Sequence, residues 1–183
     1  MTRDIIIIGS GLLGAVCAYN LAKQGVDVLI LEAGLPISTP AGQYIRNQRK
    51  YQQHPDKFFD AVTNYCQVYD DKCPPKGLSG ANVTHAFGGQ SVLCTNNCPR
   101  PVQHERLPEY EDMNMEDYLA RAEKILRVNQ TLFDAPVRQM NLFSVLAPIL
   151  GEQNRHIEKV PLAGMKLSND QIEFTSTLHI LNL

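Results

Sequence analysis

Gly9, Gly11 and Gly14 stand in the spacing G-x-G-x-x-G within Gly9-Ser10-Gly11-Leu12-Leu13-Gly14, and each has a mechanical use in holding a dinucleotide. The first glycine of such a turn permits a sharp reversal and the second admits a pyrophosphate against bare backbone. The third lets the following helix pack close to its strand. About 20 residues further on, at the spacing such a motif requires, Glu32 offers a carboxylate to a ribose diol. The same carboxylate disfavours a 2′-phosphorylated cofactor, because two anions would repel where an arginine is wanted. A second stretch, Leu78 to Pro101, crowds Gly80, Ala81, Gly88, Gly89 and Ser91 together without a helical stripe and continues into Thr95, Asn96 and Asn97. Small residues in that density bring backbone close to something flat or charged, although an irregular loop packed on its own domain reads equally well from composition alone.

The elements that must position these groups follow from the hydrophobic pattern. Ile5 to Ile8 has no polar alternation and predicts a parallel strand buried on both faces. Leu12 to Lys23 predicts a helix on which Leu13, Val16, Cys17, Asn20 and Leu21 recur at helical spacing. Gly25 is placed to end it, and its N-terminal N–H groups face the phosphates. Val26 to Leu31 predicts a second apolar strand that delivers Glu32. A lone G-x-G-x-x-G is weak, but one set between strand and helix with an acidic residue following has the context the motif demands.

Beyond the first unit the pattern loosens. Prolines and a glycine in Leu35 to Gln43 predict a loop, and Asn47 to Val62 predicts a polar, mostly helical excursion interrupted at Pro55, with Phe58, Phe59 and Val62 inward and His54 exposed. Cys66 and Cys73 flank an acidic turn at Asp70 and Asp71, and Pro74 to Gly77 predicts another loop. Asn114 to Val128 predicts a helix capped by Asn114 with Asp117 at N3. Tyr118, Leu119, Ala122, Ile125 and Leu126 form its apolar face, opposite a solvated face of Glu116, Arg121, Glu123, Lys124 and Arg127. A further helix starts after Asp134 with Pro136 in its first turn, buries Leu142, Val145, Leu146, Ile149 and Leu150, is kinked by Pro148 and stops at Gly151. Ile157 to Leu162 and Gln171 to Leu183 predict strands, and so apolar an ending points to missing sequence or a covering partner.

The 183 residues carry 17 basic and 19 acidic side chains, a net charge of -2, which gives no electrostatic footprint for nucleic acid or an anionic membrane. The 5 cysteines lack C-x-x-C spacing, so neither a disulfide framework nor a zinc site is expected, and a reducing, cytoplasmic setting fits best. No signal peptide or spanning segment is legible.

Taken together, GSGLLG, the strand end EAG and the loop GGQSVLCTNNCPRP resemble the glucose-methanol-choline flavoprotein oxidoreductases, in particular the pyranose oxidase branch and its glycoside-oxidising relatives. The segments NQRKYQQHPDKFFDAV, EDYLARAEKILRV and VPLAGMKLSNDQIEFTSTLHIL extend the likeness along the chain. The resemblance implies an α/β fold: a Rossmann-like FAD-binding core with an incomplete sheet over residues 1–160, and the start of a substrate domain over 161–183. It implies FAD, with Gly9, Ser10, Gly11, Leu12, Leu13, Gly14, Glu32 and Ala33 at the ADP half and Gly88, Gly89, Ser91, Leu93, Cys94 and Thr95 towards the isoalloxazine. Leu93 stands where covalently flavinylated members carry a histidine, so the FAD is expected to be non-covalent. Cys94 replaces a residue commonly tryptophan or asparagine, and a buried free cysteine is usually only a small hydrophobe.

In that family the base that takes the substrate hydroxyl proton lies far towards the C-terminus of a much longer chain. His85, His104, His156 and His179 match no such position. The chain therefore reads as the N-terminal part of a sugar-oxidising flavoprotein, needing a C-terminal half, with a partner subunit or homo-oligomer as the means of completing it. The alternatives are a non-enzymatic association module, with FAD structural or absent, and a small NAD-binding domain, which the second loop disfavours.

Overall fold

The computed structural model describes residues 2–68, 82–110, 113–133, 136–168 and 171–182. Two compact units divide the chain: 1–96 with 173–183, and 97–172. Position 160, the boundary expected from sequence, falls inside the second. Cys73, Asp70, Asp71, Pro74 to Gly77, Gly80, Ala81 and Asp134 lie outside the described residues.

In the first unit, strand β1 (Ile5–Ile8), helix α1 (Leu12–Ala22) and strand β2 (Val28–Leu31) form a βαβ unit. The strands are parallel, with Ile5 opposite Val28 and Ile8 opposite Leu31. Gly25, at φ +81°, turns the chain after the helix as expected. Two expectations fail here. Among the described residues β1 is covered on one face only, leaving Ile6 57% and Ile8 89% exposed, because no described element covers the other face. The buried residues of α1 are Ala15 and Ala18, while Leu13 is 82% exposed and Cys17 is also exposed. Small residues face inward because the helix lies close against its strand and a later helix, leaving no room for leucine.

A 3-10 turn at Ile45–Asn47 leads to α2 (Arg49–Gln53) and α3 (Pro55–Tyr65). The break falls at His54–Pro55, as the proline dictates, and His54 is exposed. Phe58 is buried, but Phe59 is 62% exposed, since adjacent helical positions point different ways. Strand β3 (Cys66–Val68) pairs antiparallel with β4 (Asn82–Thr84). The core gathers Ile45, Phe58, Ala61, Ala86, Val92 and Leu93, so the second glycine loop is anchored from below by α3.

In the second unit, α4 (Met115–Leu126) begins at Asn114 as expected. Its inward side chains are only half-buried and Tyr118 is 50% exposed. The charged face is not simply solvated: Arg100 grips Glu123 with two hydrogen bonds of 2.6 Å and reaches Glu116 at 2.6 Å, where Arg106 also binds at 2.7 Å. Strand β5 (Val128–Asn129) follows a left-handed Arg127 at φ +55°. Helix α5 (Val137–Glu152) continues through Pro148 and Gly151. The face expected to be buried is partly open, with Leu142 53%, Val145 60% and Ile149 48% exposed, while Leu146 and Leu150 are half-buried.

Strand β6 (Leu162–Lys166) pairs antiparallel with β5 and replaces the strand expected at Ile157 to Leu162. Pro161 has no N–H to give a ladder, and its carbonyl instead accepts the Cys98 N–H at 2.8 Å. The expected final strand is cut short as well: β7 (Ile172–Phe174) gives way to helix α6 (Thr177–Leu181). Ser176 and His179 form a reciprocal cap that starts this helix, the Ser176 N–H donating to His179 Nδ1 at 3.2 Å. The opposite ring nitrogen reaches Glu173 at 3.3 Å, which fixes the proton on Nε2. Among the described residues no helix is long and apolar enough to cross a membrane.

Candidate nucleotide site

Gly9 and Gly14 of the first turn sit where only glycine fits. Gly9 is left-handed at φ +95°, and its N–H bonds the Leu31 carbonyl at 2.7 Å, tying the turn to the end of β2. A Cβ on Gly14 would lie 2.2 Å from the Gly9 carbonyl oxygen, so no other residue permits this strand-to-helix approach. A Cβ on Gly11 would meet nothing within 4 Å. Gly11 is the N-cap of α1, and neither a side-chain cap nor an acidic residue satisfies the first turn. The first turn of α1 thus keeps N–H groups that no side chain caps, the arrangement that receives an anion.

Glu32 lies at the end of β2, half-buried. Its Oε2 accepts the Ser10 N–H at 2.7 Å and the Ser10 hydroxyl at 2.6 Å, and Oε1 accepts the Gly34 N–H at 2.5 Å. Burial pushes its pKa up, but the Ser10 hydroxyl and the amides of Ser10, Gly34 and Ala33 outweigh that and hold the carboxyl below its ordinary value. Glu32 is therefore an anion that braces the turn.

The structure brings the second glycine loop onto the first. A Cβ on Gly89 would stand 3.2 Å from Gly11 Cα, and the Gly88 N–H donates to Ser10 Oγ at 2.7 Å. Gly88 is left-handed at φ +96°, and a side chain there would strike Val92 at 2.6 Å. Just upstream, Leu35 bridges Ala86 and accepts the Phe87 N–H at 2.8 Å. Gly34 has Ala86 backbone 2.6 Å from where its Cβ would be. The two informative stretches are thus one object.

The remaining site candidates divide. Ser10, Ser91 and Leu93 are buried: Ser91 Oγ donates to the Gly88 carbonyl at 2.7 Å, and Leu93 belongs to the core beneath the loop. Leu12 and Leu13 open α1, and Ala33 and Thr95 are exposed. Cys94 Sγ contacts Asn96 Oδ1 at 3.2 Å, and burial pushes the thiol pKa up, so the sulfur stays protonated and poorly nucleophilic. Close by, burial raises the Tyr44 phenol to about 12.

The sequence reading missed Thr177. Its hydroxyl is buried and reaches the Ser10 carbonyl at 2.9 Å and Ser91 Oγ at 3.0 Å, while its N–H donates to Ser91 Oγ at 3.0 Å. The signal was present as Ser176-x-x-His179, a capping pattern overridden by the alternation of the surrounding apolar residues. Among the described residues no group of His, Cys, Asp and Glu is placed to hold a metal.

Comparison with known proteins agrees with this geometry. Residues 4–64 match the family described as FAD dependent oxidoreductase. The chain is 25% identical to pyranose 2-oxidase of Emericella nidulans, over 97% of this chain and 36% of that protein. It is 25% identical to C-glycoside 3-oxidase of Microbacterium trichothecenolyticum, over 72% of this chain and 31% of that one. A 39-residue stretch is 46% identical to paromamine 6′-oxidase of Streptomyces fradiae, covering 21% of this chain and 7% of that protein. The chain spans about a third of the length of the curated relatives it matches most extensively.

Proposed function

We propose that this chain, a homologue of sugar-oxidising flavoproteins over the N-terminal third of their architecture, is their FAD-holding portion. In this reading it takes part in oxidation of a sugar or glycoside hydroxyl only when completed by a C-terminal half. The observation that carries this is the fusion of the two glycine loops, with an uncapped helix N-terminus on one side and the Glu32 carboxylate on the other.

In this reading the pyrophosphate lies against Gly11 and the first turn of α1, where N–H groups and the helix dipole favour negative charge. Glu32 receives the ribose hydroxyls. Gly88 and Gly89 offer side-chain-free backbone along the cofactor, with Cys94 and the exposed Thr95 towards its flavin end. FAD, when bound, supplies a hydride acceptor. Leu93 offers no atom for a covalent bond to the cofactor and is spent on the core, so retention rests on the ADP half. A base for the substrate proton is supplied by the absent half.

Titrating the purified chain with FAD and with ADP, reading flavin fluorescence and calorimetric heat, tests this. Saturable binding of both, without glycoside oxidation until a C-terminal half is added, is the expected result. A chain that binds neither nucleotide would overturn it. The apolar row exposed on α5 favours a second reading, an association module without a redox role; a colourless, self-associating protein that no C-terminal half activates would select it.

A further inference from the structure

We infer that Thr177 is a positioning residue for the nucleotide, acting through the Ser10–Gly11 peptide; the inference rests on the FAD-holding reading above.

The argument starts from the planarity of that peptide. A trans peptide group points its carbonyl and the next N–H to opposite sides, so fixing one aims the other. The Thr177 hydroxyl draws the Ser10 carbonyl into the protein at 2.9 Å. The Gly11 N–H is thereby turned to the opposite side of that peptide, away from Thr177. The preceding peptide is fixed by other groups: the Ser10 N–H by Glu32, and the Gly9 carbonyl by its approach to Gly14. Of the two peptides that shape the turn, the one presenting an N–H to an anion is the one Thr177 holds.

Gly88 N–H donates to Ser10 Oγ, whose own proton goes to Glu32, and Ser91 Oγ donates to the Gly88 carbonyl. The nearest acceptor of the Thr177 hydroxyl is the Ser10 carbonyl at 2.9 Å, ahead of the Gly88 carbonyl at 3.4 Å, and the Thr177 N–H donates to Ser91 Oγ. Thr177 and Ser10 are both fully buried, so water cannot replace the bond. Thr177 is itself held firmly. The next amide, Leu178 N–H, donates to the Gly42 carbonyl at 3.2 Å, and α6 lies along α1 with Ile180 fully buried. A segment more than 160 residues away in sequence therefore sets the aim of a nucleotide-loop amide.

The test compares the intact chain with Thr177→Val and Thr177→Ser for FAD, ADP and adenosine binding by calorimetry, with amide hydrogen exchange on the ligand-free proteins. T177V should weaken FAD and ADP about tenfold or more while leaving adenosine affinity unchanged, and T177S should restore both. Exchange at Gly11 and Gly88 should quicken in T177V alone. If the wild type binds FAD and T177V binds it equally well, or loses adenosine as much as ADP, the inference falls while the FAD-holding reading stands. If the wild type binds neither FAD nor ADP, both fall. Should T177V not fold, Ser91→Ala replaces it: ADP binding weakened about tenfold with adenosine binding unchanged supports the role, and unchanged ADP binding overturns it.

Discussion

Helices α1 and α5 both read as carrying an apolar face, and they meet opposite fates. In α1 Ala15 and Ala18 are buried, Leu12, Val16 and Leu21 are half-buried and Leu13 turns outward; in α5 no residue is fully buried and Val137 reaches 71% exposure. The difference lies in what stands opposite. Helix α1 has its own strand and α6 against it, at a distance that admits only small side chains. No other described element packs extensively against helix α5. Apolar content nominates a face for burial, and only a partner surface completes it. The same contrast separates the two units. The first is held by buried polar bonds and glycine contacts around the nucleotide turn, the second by exposed ion pairs of Arg100 and Arg106 with Glu116 and Glu123.

Substitutions should break along that line. The largest effect is expected from Gly14→Val: its first carbon would lie 2.2 Å from the Gly9 carbonyl oxygen, so strand and helix must separate. Loss of FAD binding and about 1–3 kcal/mol of stability are expected, measured by calorimetric titration and urea unfolding. Next comes Ser10→Ala, which leaves the Gly88 N–H buried without an acceptor and releases one of the bonds on Glu32. A loss of about 1–3 kcal/mol is expected, and a double-mutant cycle with Ser91→Ala should show coupling.

Acid should act on the first unit through Glu32. Its folded pKa is lowered, so the stability it contributes is complete above the ordinary glutamate value and drains as pH falls through the lowered one. FAD affinity should be flat from neutrality down through the ordinary glutamate range and fall only below it, with Glu32→Gln binding weakly throughout. The smallest effect belongs to the second unit. Val145→Ser with Ile149→Ser should change stability by no more than about 0.5 kcal/mol per site, because both side chains are already in water. A large destabilisation in urea would show that α5 has a partner surface after all. Arg100→Ala should leave nucleotide affinity untouched, and high salt should erase most of its effect on stability.

The βαβ unit and its chemistry were legible because they depend on short-range facts. Gly9, Gly11 and Gly14 sit at fixed spacings with local steric consequences, and Glu32 follows from strand length. Asn114 and Pro55 marked helix starts for a similar reason, although the Asn114 side chain makes no cap bond to the backbone and its amide donates to the Asp117 carboxylate instead. Pro161, which delays β6, carries an equally local signal that its apolar neighbours Val160 and Leu162 masked. Other features had no local signature. Nothing near Ser91 indicates that its hydroxyl is used up by Gly88 and Thr177, and nothing near Leu93 tells a core position from a cofactor contact.

The sequence by itself determined that a strand, a glycine turn and a helix follow one another, and that the turn is built for close backbone approach. Tertiary structure alone decided that the second glycine loop closes on the first at Gly11 and Gly89, and that the end of the described chain folds back to hold Ser10. The physical reason is range: dihedral preference and capping are written in neighbouring residues. The direction of a buried hydroxyl depends on which distant carbonyl arrives beside it.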